Sequence, residues 1–400
     1  MTRLRWVAGS VAVALVVVGV IGAVTGWHLG ADSAVYRAGA LALLHGDPLY
    51  ESMSLPASPP WQPLPFTYPP TAALLFTPLA ALPVQVAWGV LAALSVLALA
   101  VVVKVCFDCL PTLSGRAWLP AGALLLAFGL EPVWWTITLG QINLILLALI
   151  VVDVLVLRGN RWSGVLIGIA AAVKLTPLIF VAHLLVTGRR ADAARATGVF
   201  LGLQALIFVI SPSDVARYWT VAGIDPDRIG RVYWIFNQSL NGLVRRLTFD
   251  AGYSTVVAFA IGALLAVPAV LLVRHYHRKT LALQALLVSA GFGLLVSPVS
   301  WSHHWVWAVP LLIVLVARAS WVPVAIVWLV FLGATVWLTP NGADKEFHWN
   351  PLTWTLGNSY VLVPIVVGVW FGVHAWRNRA SPAPRTGESR AQAPSKGGTS

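Results

Sequence analysis

What most constrains this chain is a succession of apolar runs, each about 20 residues long and parted by short polar stretches, which is the helical length that crosses a hydrocarbon core of roughly 30 Å. Inside hydrocarbon every backbone N–H and C=O must find a partner within its own segment, so each run is predicted to be helical. The expected spans are 6–25, 85–107, 118–134, 141–157, 193–211, 254–273, 280–297, 303–318, 320–338 and 358–376. Two segments are shorter and interrupted: 70–82, which contains Pro78, and 163–187, broken at Lys174-Leu-Thr-Pro177. Half-length helices meeting at a Lys-x-x-Pro turn are tolerable only where they line a cavity in protein. The expectation is an all-α polytopic membrane protein with about twelve transmembrane helices, some of them short or broken, and interfacial helices on the non-cytoplasmic side.

Composition excludes the water-soluble classes. Only 10% of the residues are charged and 58% are hydrophobic, whereas soluble domains are typically about a quarter charged. The first run follows Arg3 and Arg5 but has too long an apolar core, and no small-residue cleavage site, for a signal peptide, so it reads as the first span. The net charge of +12 does not imply nucleic acid, because the basic residues lie in short clusters between apolar runs, as the positive-inside rule requires. With a cytoplasmic N-terminus, 18 of the 26 basic residues fall inside and ten of the 14 acids outside. Residues 1–377 are expected to form one transmembrane domain, and 378–400 a disordered cytoplasmic tail. Within the outside segment 26–70, Ala34, Val35, Ala38, Leu41, Ala42 and Leu44 recur at helical spacing and predict an interfacial helix. Cys106 and Cys109 read as two small residues near a helix end rather than a redox or metal site.

Under this topology six polar stretches reach the same, non-cytoplasmic face: Gly30 to Arg37, Pro65 to Pro70, Gly140 to Asn143, Lys174 to Pro177, Asn237 to Gly242 and Ser300 to Trp305. Such convergence is what an active site at a membrane interface looks like. Asp32, just beyond the first span, is either a general base toward a sugar hydroxyl or a helix N-cap, and local sequence weighs the two evenly. Asp47 and Glu51 are rival bases in a Gly/Pro loop that favours solvation. Lys174 is an intramembrane charge, costly and usually functional, suited to a phosphate or to an ion pair with Glu131. Arg228 and Arg231 run against the positive-inside trend and either clamp a phosphate or sit solvated in their loop. His303 and His304 point about 100° apart if helical and match no zinc spacing, so one is expected to meet phosphate or sugar and the other to pack. Trp301, Trp305 and Trp307 are first of all belt residues, with sugar stacking a secondary role for one of them. The candidate sugar- and acceptor-binding residues are Tyr36, Arg37, Tyr68, Gln141, Asn143, Asn237, Gln238 and Trp301, and Asn241 offers a further amide.

Taken in order, Asp32 with Val35-Tyr36, Leu64-Pro-Phe-Thr-Tyr-Pro-Pro70, Gly140-Gln-Ile-Asn143, Lys174-Leu-Thr-Pro177, Asn237-Gln-Ser239 and Ser297-Pro-Val-Ser-Trp-Ser-His-His-Trp-Val-Trp307 resemble the actinobacterial polyprenol-phosphate-mannose-dependent α-mannosyltransferases. These are membrane glycosyltransferases of the GT-C type. The resemblance runs from about Gly30 to Trp307. It implies a polyprenol-phosphate-mannose donor and a mannolipid acceptor (a phosphatidylinositol mannoside, lipomannan or lipoarabinomannan). It also implies inverting transfer on the periplasmic side of the cell membrane to give an α-(1→2) linkage, with both termini cytoplasmic, no metal and no cofactor. The family's base falls on Asp32, and Lys174, His303, His304, Arg228 and Arg231 become candidates for the donor phosphate. The partners expected are donor, acceptor and membrane lipids, with no nucleic acid. The competing readings are a transporter or flippase of a lipid-linked sugar, which an inverted repeat between the halves would favour and none supports, and the same fold with another polyprenyl-phosphate sugar.

Overall fold

The computed structural model describes residues 2–113 and 115–377, so the tail predicted at 378–400 lies outside the described residues. The helices in chain order are α1 (Thr2–Thr25), α2 (Ala31–His45), α3 (Pro70–Leu75), α4 (Thr77–Ala80), α5 (Val84–Asp108), α6 (Leu119–Ala127), α7 (Glu131–Leu139), α8 (Asn143–Val151), α9 (Val165–Val173) and α10 (Ile179–Val186). They continue with α11 (Arg190–Ile210), α12 (Pro212–Arg217), α13 (Pro226–Ile229), α14 (Leu240–Leu247), α15 (Ser254–Arg278), α16 (Ala282–Val296), α17 (Ala308–Ala317), α18 (Trp321–Leu332), α19 (Pro351–Gly357) and α20 (Ser359–Arg377). Among the described residues there is no β-strand, only an isolated bridge between Asn237 and Trp301.

Four helices, α1, α5, α11 and α15, are long and apolar enough to cross a membrane, and the bent pairs α6/α7 and α19/α20 raise the number to six if each is one span. The remaining apolar helices are shorter, between 10 and 17 residues. The run predicted as one straight span over 118–134 is in fact bent by 67° between α6 and α7. The bend lies where α6 stops and α7 begins afresh: Leu130 is the extended N-cap of α7 (φ −76°, ψ 131°) and Pro132 sits in its first turn, where a proline starts a helix but cannot continue one from the preceding turn. The 163–187 segment breaks where the sequence predicts. α9 ends at Lys174, whose backbone is extended (φ −149°, ψ 133°), and a 3-10 turn over Thr176–Leu178 leads into α10.

Burial identifies the centre. The most apolar stretch of α5 is 61% buried, against 22% for α1 and 17% for α15, so α5 is the inner post and the other two present their apolar sides outward. Exposed Val13, Val17, Ile21, Leu264 and Leu271 are what helices facing lipid display. The helix predicted within 26–70 appears as α2. Its Ser33–Tyr36 and Ala38–Ala40 segments are buried, and it packs on α3, α4 and α5.

Candidate active site

Two left-handed glycines fix where Asp32 lies. Gly30 (φ +82°) turns the chain out of α1 into α2, and Gly140 (φ +66°) ends α7. A Cβ on Gly140 would lie 2.7 Å from the Ser33 side chain, so the two helix ends approach closely enough to demand glycine there. The junction is stapled by Gly30 N–H to the Thr138 carbonyl at 3.1 Å and by Trp88 Nε1–H to the Ile137 carbonyl at 2.9 Å. The N-cap of α2 is Gly30, with no side-chain cap. Asp32 therefore sits in the first turn and does not cap the helix, which removes one of the two readings that the sequence left open.

Asp32 faces a buried polar network. Tyr36 Oη donates to Gln141 Oε1 at 2.6 Å, Gln141 Nε2 donates to Tyr68 Oη at 2.8 Å, and the Gln141 amide also bonds the Asp32 carboxylate. Burial pushes the Asp32 carboxyl up to about 6, against the opposing charge of Lys174 and the bond from Gln141. Asp32 is half-buried, with protein on most sides. Burial, and then for Tyr68 the Asp32 charge, hold both tyrosines above their ordinary range, so they remain protonated donors near neutrality.

Opposite this network stands Lys174 at the apex between α9 and α10. Its Nζ donates to Asn143 Oδ1 at 3.1 Å and lies 2.8 Å from His304 Nε2, over the Tyr68 ring at 5.9 Å. Its charged neighbour is Asp32, not Glu131. The Glu131 carboxylate instead accepts from Ser302 Oγ (2.7 Å), Trp337 Nε1 (3.1 Å) and Tyr360 Oη (3.0 Å). The histidines lie on a 3-10 turn, Ser302–Trp307, with rings 83° apart and centroids 4.8 Å apart. The His303 carbonyl accepts from Thr136 Oγ1 at 3.1 Å and Asn143 Nδ2 at 3.0 Å, while its buried Nε2 has no partner. Thr136, which holds this turn, carries no local sequence signal; only the fold brings it there.

A cavity of about 430 Å³ adjoins the site, lined by apolar side chains of α15, α16, α17, α18 and α20 together with Trp305 and Trp307. A smaller one of about 50 Å³ is lined by Asn143, Thr176, Ser297, Ser300 and His304, and the two share Leu294 and Trp307 as a wall. An apolar groove thus adjoins the smaller cavity that His304 lines.

Other candidates from the sequence lie elsewhere. Arg228 is buried and neither solvated nor offered to a ligand: its Nη atoms donate to the carbonyls of Tyr50, Ser52 and Phe66 and so hold the 47–69 loop in shape. Arg231 is exposed and paired with Asp344 at 2.8 Å. Arg37 Nε donates to the Leu82 carbonyl at 2.6 Å. Asn237 bonds the backbone of Val232, Pro298 and Ser300, and Gln238 Nε2 donates to the carbonyls of Ile235 and Gly357. Asn241 likewise donates to the Pro298 carbonyl at 3.2 Å. These amides brace irregular backbone, and Trp301, whose ring meets Trp234 at 5.9 Å, flanks them. The geometry brings together Asp32, Tyr36, Tyr68, Gln141, Asn143, Lys174, His303 and His304.

Comparison with known proteins identifies the family. A polyprenol-phosphate-mannose-dependent alpha-(1-2)-phosphatidylinositol mannoside mannosyltransferase of Mycobacterium tuberculosis is 36% identical over 301 residues, covering 71% of this chain and 69% of the relative. One of the same name from Mycolicibacterium smegmatis is 33% identical over 386 residues, covering 89% of this chain and 87% of the relative. A phosphatidylinositol pentamannoside mannosyltransferase from the latter organism is 37% identical over 286 residues, covering 70% of this chain and 68% of the relative. No solved structure matches. The model of glycosyltransferase family 87 matches residues 66–298, more than half of the chain, and with these relatives it establishes that the chain belongs to glycosyltransferase family 87.

Proposed function

We propose that this protein transfers mannose from polyprenol-phosphate-mannose to a mannolipid of the phosphatidylinositol mannoside kind, forming an α-(1→2) linkage. The observation that carries the reading is the opposition of Asp32 to the Lys174–His304 pair near an apolar groove. The donor needs such a combination: a groove for the prenyl chain, a cation and a hydrogen-bonding ring for its phosphate, and a base across the sugar. The names of the relatives supply the sugar and the linkage.

In this reading the reaction is a single displacement. The Asp32 carboxylate takes the proton from the 2-hydroxyl of the acceptor mannose while its oxygen bonds to the anomeric carbon. The bond from that carbon to the phosphate oxygen breaks, and its electron pair leaves with polyprenyl phosphate. Attack opposite the leaving group turns the β-linked donor into an α-linked product. Lys174 and His304 stabilise the phosphate charge, and no acid is needed because the leaving group departs as an anion. Gln141, itself held by Tyr36 and Tyr68, positions Asp32, and Asn143 orients Lys174. The ring of His303 packs against its neighbour. In this reading residues 1–377 form one transmembrane domain in the cell membrane with about twelve crossings, cytoplasmic termini and a periplasmic site, and the exposed apolar faces meet membrane lipids.

The test is to incubate the purified protein in nanodiscs with labelled polyprenol-phosphate-mannose and phosphatidylinositol mannosides, then determine the linkage formed. An α-(1→2)-mannosyl product is expected. Absence of transfer from this donor, or transfer from a nucleotide sugar alone, would overturn the assignment.

A further inference from the structure

Six aromatic rings drawn from four separate stretches form a continuous wall beside the histidine turn. Trp337 meets Trp135 at 4.9 Å, Trp134 at 5.8 Å and Phe236 at 4.8 Å, while Trp234 meets Phe236 at 4.9 Å and Trp301 at 5.9 Å. Its two ends adjoin the candidate active site. Trp301 lies two residues before His303, and Trp135 is next to Thr136, whose hydroxyl bonds the His303 carbonyl at 3.1 Å.

We propose that this wall is the seat of the acceptor's sugar chain, the hexose rings next to the one that attacks. The proposal rests on the mannosyl-transfer reading above. Three observations favour it over a membrane belt or a seat for the prenyl chain. First, a belt tryptophan presents its indole N–H to the water or headgroup level, whereas Trp337 turns its N–H inward onto the buried Glu131 carboxylate and leaves its ring 41% exposed. Held this way, the ring offers a fixed apolar face, and a pre-ordered aromatic loses little entropy when a ligand arrives. Second, the large apolar cavity next to His304 is lined by none of the six, so the prenyl chain has its own groove. Third, among the described residues none of the six rings carries a cation at stacking distance; the cation-bearing rings lie elsewhere. A neutral ligand with apolar C–H faces suits such a surface, and a pyranose is one, packing a face of C–H groups on an indole by dispersion.

The experiment compares Trp135→Leu and Trp234→Leu with the parent in nanodiscs, using polyprenol-phosphate-mannose and two acceptors: an alkyl monomannoside and a mannolipid carrying several mannoses. Both substitutions are at partly exposed rings, so the fold is expected to survive. Each should raise KM for the oligomannosyl acceptor about tenfold, matching the energy of one stacked ring. Donor KM and transfer to the monomannoside should stay unchanged. Saturation-transfer NMR with free α-mannotriose gives a readout without turnover: signal is expected from the parent and from Asp32→Asn, and its loss from both leucine variants. Equal acceptor KM values in parent and variants, or an unchanged NMR signal, would assign the wall to lipid and overturn the proposal. Absent transfer to either acceptor by the parent, with the NMR signal present and wall-dependent, would instead strike at the mannosyl-transfer reading alone.

Discussion

Asp32→Asn should make the protein more stable while it stops the reaction. Burial holds the Asp32 carboxyl at about 6, against an ordinary aspartate value of about 4. A folded-state value above the unfolded one means that the folded state prefers the protonated form. That contribution to stability is fully present below about pH 4 and is lost as pH rises through about 6. At pH 7.5 the carboxylate is ionised in both states, and holding it at about 6 rather than about 4 costs about 3 kcal/mol at most, at roughly 1.4 kcal/mol for each factor of ten in the proton equilibrium. The figure already contains the attraction of Lys174, because that charge acts on Asp32 in the direction opposite to burial. Asparagine keeps the shape and an acceptor oxygen for Gln141 and carries no charge. Its gain should therefore appear at pH 7.5 and fade toward pH 4.

The assay is thermal unfolding of parent and variant in the same detergent at one scan rate across pH 4 to 7.5, with mannosyl transfer measured in parallel. The variant should unfold several degrees higher at pH 7.5, with the gap closing below pH 6, and transfer should fall by about 10²- to 10⁴-fold, the range that general-base catalysis typically supplies. A variant less stable than the parent, or a gap independent of pH, would refute the claim that an ionised Asp32 is held in a poorly solvating site. Near-normal transfer would remove Asp32 from the role of base.

Lys174→Ala should raise donor KM by about 10- to 100-fold, the worth of one charge-assisted contact to phosphate. Because Lys174 lowers the Asp32 pKa, it should also move the acidic limb of the pH–rate profile above about pH 6; an unmoved limb would separate the two residues. Arg228→Ala should lower the unfolding temperature through loss of three carbonyl contacts to the 47–69 loop, about 2–4 kcal/mol, with donor KM unchanged, and a selective rise in donor KM would restore Arg228 to the phosphate. Asn237→Leu should loosen the 297–300 stretch and lower kcat, while acceptor KM stays constant if the amide touches no sugar.

How far the site was legible depended on whether a residue's role is set by its own segment. The apolar runs, the break at Lys174 and the helix α2 follow from local pattern, because lipid dictates length and a charge at a helix break is exceptional, whereas Asp32 stood out through the family resemblance. Pairings were not legible. Lys174 was weighed against Glu131 because both are charged and buried, yet Glu131 is satisfied by three neutral donors and Lys174 by Asn143, His304 and the field of Asp32. Arg228 looked like a free cation because its acceptors are backbone carbonyls some 160 to 180 positions upstream, which side-chain chemistry cannot reveal.

The amides make the physical rule plain. A polar side chain beside a helix break competes for two kinds of partner, a ligand and the backbone groups that the break leaves unpaired, and burial makes unpaired backbone expensive. At 297–300 the chain leaves α16 in an irregular stretch, and the carbonyl of Pro298 and the N–H of Ser300 need partners; Asn237, Ser239 and Asn241 serve them. The break after α7 is different. Gly140 in the left-handed region closes that helix itself, with Gly140 N–H to the Ile137 carbonyl and Gln141 N–H to that of Thr136, as a glycine C-cap does. The Gln141 side-chain NH₂ is thereby released from the backbone and goes to Tyr68 and Asp32. An amide next to a self-capped break is the one free to organise a site, while an amide next to an uncapped break belongs to the fold. That distinction separates Gln141 from Asn237 although both sit in equally suggestive motifs.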